Sequence, residues 1–342
     1  MKPYFFLIFS LTAALITLSC KDSITNPEHS AGRRDYVWTV DTLKSPFNVL
    51  FGLWGSAPND VWAVGSGASS IDRLWHFDGA KWSIYNKEPI FITGRALWGS
   101  NKNNIWMVGG DGEIWKYDGN KWSKNFEYKI ANTYTIIVAD IWGKSSSDIY
   151  AAGLTVYDLQ NFKAFILHYN GQKWSEELVV PNNKLQFIRV QGDSKNLFLV
   201  GVKYNQPNPD SFFVYNYANK ALKKIYEATN ISWVDVNLIG DRAYIVAGND
   251  VYEFENNYVR KIMNFDGYNF GQAIYGRSKN DLFLRMYDGI AHYNGTDIQY
   301  LYKFGNNFTS WRGRVLDFGN EIFFSVMDIV NNKQMMLHGK LK

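Results

Sequence analysis

The sequence predicts an all-β chain: a single seven-bladed β-propeller of four-stranded blades over residues 36–342, closed by its own N-terminal strand. Three observations predict it. A tryptophan-rich unit recurs with a mean period of about 44 residues. Each clear unit holds four short β-like runs separated by turn residues. The last unit stops after its third run, while an unmatched fourth-type run stands ahead of the first.

The units read off in order. Leu53-Trp54-Gly55-Ser56 leads to Asp60-Val61-Trp62-Ala63-Val64-Gly65, then Trp75-His76-Phe77-Asp78-Gly79 and Lys81-Trp82-Ser83. Leu97-Trp98-Gly99-Ser100 opens a second copy that ends at Lys121-Trp122-Ser123, and Ile141-Trp142-Gly143 opens a third that ends at Lys173-Trp174-Ser175. Weaker copies follow at Gly192, Gly240, Gly276 and Gly319, the last running out at His338-Gly339. A misreading of the fifth or seventh unit would give six or eight blades. Asp-Gly and Asn-Gly between apolar runs are hairpin signals, expected as type I′ turns with positive φ at both residues. Tyr36-Val37-Trp38-Thr39-Val40 resembles a fourth strand and is placed to complete the last blade, hiding an open edge.

Composition agrees. Hydrophobic residues make up 46%, charged residues 20% and aromatics 17%, with thirteen Trp, which suits pleated half-buried surfaces and excludes a disordered chain. A net charge of +4 with scattered basic residues leaves no nucleic-acid footprint.

The N-terminus carries a separate signal. Lys2 precedes a mostly apolar run from Tyr4 to Ser19, too short for a membrane span but suited to a signal-peptide core, residues 1–19. Cys20 is the chain's one cysteine and has no partner for an internal disulfide. Thr17-Leu18-Ser19-Cys20 resembles a bacterial lipobox, with Thr17 where that motif usually has Leu. The resemblance implies cleavage before Cys20 and diacylglycerol on its thiol. Residues 20–35, mostly polar, then form the lipidated cysteine and a flexible tether, and the protein belongs to the bacterial envelope as an outer-membrane lipoprotein, facing the periplasm or the outside.

The repeat resembles the tryptophan-glycine-serine propeller units of secreted and outer-membrane bacterial proteins. It is similar, more distantly, to the Asp-box blades of sialidases and to photosystem II assembly-factor propellers; an Asp box has Asp-x-Gly before its Trp, and this chain has Asp78-Gly79 and Asp118-Gly119. The resemblance implies a fold and a recurrent role in binding, and no particular reaction.

The chemistry-bearing residues are largely absorbed by the repeat. His76, His168 and His292 share one repeat position, with His338 one place out of register, so they are expected to be structural and spread around the ring. Asp60, Asp148 and Asp281 recur at the turn between first and second strands, where a turn-capping role is expected. No metal ligand set, nucleophile elbow or phosphate loop is present, and no catalytic residue, metal or cofactor is assigned. What departs from the repeat is the better guide. Arg95, Asp140, Arg189, Asp235, Gln272 and Arg314 lie just ahead of the recurring glycines and differ from blade to blade; Trp233 and Trp311 fall near the same loops. These eight are the candidate ligand-binding residues, at a channel mouth where loops into the innermost strands converge. The loops Tyr204 to Asp210 and Asp158 to Lys163 are second candidates. The sequence therefore reads as a non-catalytic, monomeric binding or scaffold propeller contacting protein or glycan. The alternatives are a carbohydrate-active enzyme with two carboxylates at the mouth, or an assembly factor for a membrane complex.

Overall fold

The computed structural model describes residues 32–43, 49–66, 73–158, 161–181, 184–205, 208–305, 310–311 and 313–342. Cys20, His29, the signal segment and most of the tether lie outside the described residues. Seven antiparallel sheets follow one another around a common axis, and one 3₁₀ turn at Gly110–Gly112 is the sole helical element among the described residues. Six sheets have four strands in simple sequence order, over residues 49–84, 94–127, 135–179, 185–229, 234–264 and 270–303. The seventh holds residues 310–341, its inner strand broken into Ser310–Trp311 and Val315–Asp317, and takes Tyr36–Leu43 as its outermost strand. That strand pairs antiparallel with Lys333–Leu341 in unbroken register, Tyr36 opposite Leu341 and Leu43 opposite Gln334. Closure by the N-terminal strand and the count of seven are as the sequence predicts.

Among the described residues there is no single core. The buried apolar residues fall into clusters that each join two neighbouring blades, from Trp62, Leu97 and Met107 between blades one and two to Phe283, Ile290 and Phe324 between six and seven. Alternating apolar positions on each strand supply both faces of a blade, so every face is covered by a neighbour. The repeated Trp positions interlock there. Trp62 on the second strand of blade one meets Trp122 on the fourth strand of blade two edge to face at 5.7 Å, and Trp106 meets Trp174 one blade on at 5.5 Å. Such pairs add about 0.5–1.5 kcal/mol each beyond area burial.

The Trp-Gly dipeptide has a different task. A Cβ built on Gly99 would fall 2.6 Å from the Trp54 ring; on Gly143, 2.5 Å from Trp98; on Gly192, 2.6 Å from Trp142. Each indole thus lies flat against the bare Cα of the next blade's glycine. Across the closure the tip of Phe318 reaches Gly55, its Cζ 2.9 Å from a Cβ built there and Leu316 Cδ2 3.0 Å. Blade six has Tyr275 before its glycine, and there Arg277 makes the connection instead. It pairs with Asp281 at 2.7 Å and Asp317 at 3.5 Å, and donates to the Tyr36 hydroxyl at 3.0 Å and to the Gly319 carbonyl.

A polar pair links the second and third strands at one position of six of the blades. His76 Nε2 lies 2.7 Å from Asp60, His168 2.8 Å from Asp148, His292 2.7 Å from Asp281 and His338 2.7 Å from Glu321. Blade four uses Asn216 and Asn196 at 2.9 Å, and blade five reverses the charge with Arg242 and Glu253 at 2.6 Å. His338 therefore occupies the same place as the other three, despite its offset in the sequence. The recurring Asp residues accept from these histidines, and two of them also accept across the adjacent turn as expected, Asp60 from Ser56 Oγ at 2.5 Å and Asp281 from Arg277 at 2.7 Å. Asp-Gly turns also differ from expectation. Gly79 has φ +93° but Asp78 does not have positive φ; its carboxylate instead accepts the backbone N–H of Ala80 and Lys81, both at 2.9 Å. Two-residue turns with positive φ at both positions occur at Asn219-Lys220 and Asn256-Asn257.

Gly143→Ala is expected to destabilise by about 1–3 kcal/mol, because overpacking displaces Trp98 and the strand behind it. Urea unfolding of G143A, alone and combined with Trp98→Leu, checks this. A full cost retained in the double variant would show that the indole contact is not its source.

Candidate functional site

The inner strands begin at one face of the ring, and four of them begin irregularly. Register shifts fall between Leu50 and Gly52, Gly94 and Ala96, Val138 and Asp140, and Phe187 and Arg189. The residues skipped are Phe51, Arg95, Ala139 and Ile188. A bulge leaves one residue unpaired and re-aims its side chain, and all four line the central cavity of about 360 Å³. In blade six the pairing breaks between Phe270 and Ile274, and Gln272 sits there with φ +59°. In blade seven, Gly313 and Arg314 fill the gap between the two pieces of inner strand, where the Arg314 amide donates to Ser325 Oγ at 2.9 Å.

Six of the eight sequence-predicted residues line this cavity: Arg95, Arg189, Asp235, Gln272, Arg314 and Trp233. Asp140 does not. It stands one residue past its bulge and turns sideways into the wall, where its carboxylate accepts the Val190 amide of the next blade at 3.0 Å. Trp311 pairs through its backbone with Met327 on the same face; its side chain lies outside the described residues. Of the two second-candidate loops, Tyr204 lies at the cavity edge and Asp158 pairs with Asn161 on the same face, while residues 159–160 and 206–207 lie outside the described residues.

Two kinds of arginine meet here. Arg189 is buried and neutralised: its Nε lies 3.1 Å from Asp235, its Nη1 3.6 Å from Asp140, and its Nη2 donates to Asn237 at 3.4 Å. One guanidinium thereby ties blades three, four and five. Burial pushes the Asp140 and Asp235 carboxyls up, against the pull of Arg189. The other three cations have no such partner. Arg95 lies over the Phe51 ring at 4.7 Å, Arg285 donates to the Gly271 carbonyl, and Arg314 Nε donates to the Phe51 carbonyl at 2.6 Å. Among the described residues no carboxylate stands within ion-pair distance of any of them. Burial pulls the pKa of Arg95 and Arg285 down, the mark of a charge without full compensation.

Arg285, Phe51 and Tyr275 were not among the sequence candidates. Arg285 was legible: its register place holds Val64, Val108, Ala152, Val200 and Val246 in other blades, so an Arg there departs from the repeat as sharply as Arg95 does. Phe51 was not, because an apolar residue beside a bulge looks like ordinary core.

The comparisons bear on the fold. The ring is similar to solved structures over most of its length. One, YCF48 bound to a D1 peptide, matches with a TM-score of 0.59 at 11% identity over 92% of this chain and all of that one. Another, YCF48 from Cyanidioschyzon merolae, matches with a TM-score of 0.59 at 12% identity over 87% of this chain and 98% of that one. Identities this low carry the architecture alone, and with it the distant similarity to photosystem II assembly-factor propellers. No family model matches the chain, and no curated protein does.

Chemically, the mouth can hold an anion. A glycosidase needs two carboxyls facing a shared space, whereas Asp235 is the sole carboxylate among the described lining residues and shares Arg189 with Asp140. Arg189→Met is expected to cost about 3–5 kcal/mol at pH 7, because it strands two buried carboxylates. Their folded-state pKa values rise further above the unfolded value in the variant, so the penalty belongs to the ionised form. It is present above the folded pKa and fades as pH falls toward the unfolded value near 4. Denaturant unfolding of R189M and wild type at pH 7 and pH 4.5 measures it; a deficit that is unchanged or larger at low pH would contradict the assignment.

Proposed function

We propose that this propeller is a non-catalytic binding protein of a bacterial envelope, anchored through Cys20, which captures a carboxylate-bearing protein segment in its channel mouth. The observation that carries the reading is the set of three guanidiniums, Arg95, Arg285 and Arg314, converging on one cavity with no carboxylate among the described residues within ion-pair distance of any of them. A partly desolvated guanidinium gains most from a charge-assisted, bidentate hydrogen bond, and a carboxylate matches its fork. The cavity volume of about 360 Å³ suits an acidic side chain or a chain terminus with its neighbours rather than a folded domain. A D1 peptide bound to YCF48 is an instance of peptide capture on a similar ring, and supports the same mode here. The lipobox-like Thr17-Leu18-Ser19-Cys20 supports the anchor, which mass spectrometry of the mature N-terminus tests separately.

The binding reading predicts selectivity. Acidic peptides and peptides with free C-terminal carboxylates are expected to bind, amidated neutral ones not, with affinity falling as salt rises. Arg95→Gln with Arg314→Gln is expected to weaken binding at least tenfold without lowering the melting temperature by more than a few degrees. Fluorescence anisotropy on a peptide panel, beside an array of uronic-acid glycans, reads this out. Binding confined to the glycans, or peptide binding indifferent to both substitutions, would overturn it.

A further inference from the structure

The two faces of the ring are unlike each other, and the chain enters on one of them. Residues 32–35 precede the closing strand and belong by sequence to the tether, yet they are held. Gly32 N–H donates to the Asn280 carbonyl at 3.2 Å. Arg34 Nη2 donates to the carbonyls of His292 and Asp297 at 3.0 and 2.6 Å, its Nη1 pairs with the Asp297 carboxylate at 2.9 Å, and its Nε lies 3.2 Å from His292 Nδ1. Arg33 Nη2 donates to the Lys342 carbonyl at 2.6 Å. Asn280 lies in the turn between first and second strands of blade six, and Asp297 in the turn between third and fourth. Both turns are on the face opposite the arginine-lined mouth.

The mouth face in turn carries the exposed apolar groups. Phe91, Tyr134, Tyr204, Tyr268, Tyr287, Ile329 and Val330 are each 38–84% exposed. All seven sit in loops that join blades or that join second to third strands, around the mouth. Of the other exposed large apolar side chains described, Val37 and Val40 are on the outer edge strand, and Tyr258 alone is on the opposite face. A scattered ring of apolar groups around a cationic centre is the pattern of a partner-binding surface.

We infer that the mouth face is a protein-docking face held away from the anchoring membrane, so that its partner approaches from the far side of the ring. The inference rests on the Cys20 anchor and the peptide-capture reading above, and adds an orientation to them. Its ground is reach. The dozen or so residues from Cys20 to Gly32 span at most about 43 Å when fully extended. Laying the mouth on the bilayer would take the leader outward across the remaining strands of blade six, about 10 Å, and then along its six-residue outer strand Ile298–Lys303, about 20 Å. That path takes about 30 Å, roughly two thirds of the reach at full extension, whereas the clamped face needs none of it. The aromatic ring and the arginines could also have suited a lipid headgroup surface; the clamp is what favours a protein.

The native lipoprotein tests this, since acylated Cys20 leaves no other thiol. Tyr134→Cys on the mouth face and Tyr258→Cys on the opposite face, 84% and 77% exposed, each take a thiol-reactive donor dye. The labelled proteins are placed in phosphatidylethanolamine–phosphatidylglycerol vesicles containing a headgroup-labelled acceptor lipid. Energy transfer from position 258 is expected to exceed that from position 134 at least twofold, and a carboxylate peptide that binds the mouth should do so equally on vesicles and free in solution. Equal or reversed transfer would overturn the orientation and point to a membrane-facing mouth. An unacylated mature N-terminus would overturn it through the anchor, while leaving peptide binding in solution to stand or fall on its own.

Discussion

An indole lying on a bare Cα is the contact on which this ring depends. Seven twisted sheets can close around an axis only if each blade meets the next at one distance and one tilt. Trp54 against Gly99, Trp98 against Gly143 and Trp142 against Gly192 set that distance near the axis, because any side chain at the glycine would occupy the ring's place. Farther out, Trp62 with Trp122 and Trp106 with Trp174 set the tilt edge to face. In blades one to three a large aromatic and the smallest residue therefore appear as a dipeptide, one facing forward to the next blade and the other, in blades two and three, receiving the previous blade. The Trp-Gly repeat is the written form of that requirement.

Closure tests the rule. The last blade cannot complete itself, and the strand Tyr36–Leu43 supplies its edge. The tip of Phe318 reaches Gly55, and Trp38 packs on Gly339 within the closing blade. Between blades six and seven the ring uses Arg277, whose guanidinium gathers Asp281, Asp317, Tyr36 and Gly319. A planar, multiply hydrogen-bonded cation replaces a planar apolar ring, and it ties the closing strand to the blade before it. The seam is thus fastened by directional bonds where the junctions among blades one to four rely on stacking.

This division explains what the sequence made legible. Packing that repeats leaves a periodic trace, so blade number, strand order, the closing strand and the structural role of the histidines could all be read from residue types and spacing. The partner of each histidine could not, because Asp60 and His76 are 16 positions apart and meet only once the hairpin forms. The site was half legible for a related reason. Departures from the repeat pointed to Arg95, Arg189, Asp235, Gln272, Arg314 and Trp233, all of which reach the cavity. Counting back from the glycine, however, passes over a bulge, and a bulge adds a residue without altering the pattern on either side. Asp140 and Arg189 are thereby one place beyond the position of Arg95, and of the two only Asp140 turns wholly into the wall.

The two faces of the ring differ in how far their polar groups satisfy one another. On the face that holds the N-terminal leader, the polar groups of the turns satisfy one another. Asp78, Asp118, Asn170 and Asn294 each accept two backbone N–H groups of their own turn, and the histidines are held by Asp or Glu. Such a surface has little to gain from a partner. At the mouth, bulges and a broken strand spend backbone regularity on aiming side chains inward, and Arg95 and Arg314, so aimed, together with Arg285 on its regular second strand, find only carbonyls and a phenyl face within contact distance. Burying charge without a counter-charge is unfavourable, and a ring this regular could have placed valine at each position, as blades one, two, four and five do at the place of Arg285. Local cost accepted at one end of an otherwise self-satisfied scaffold is where a ligand's free energy of binding is available to offset it.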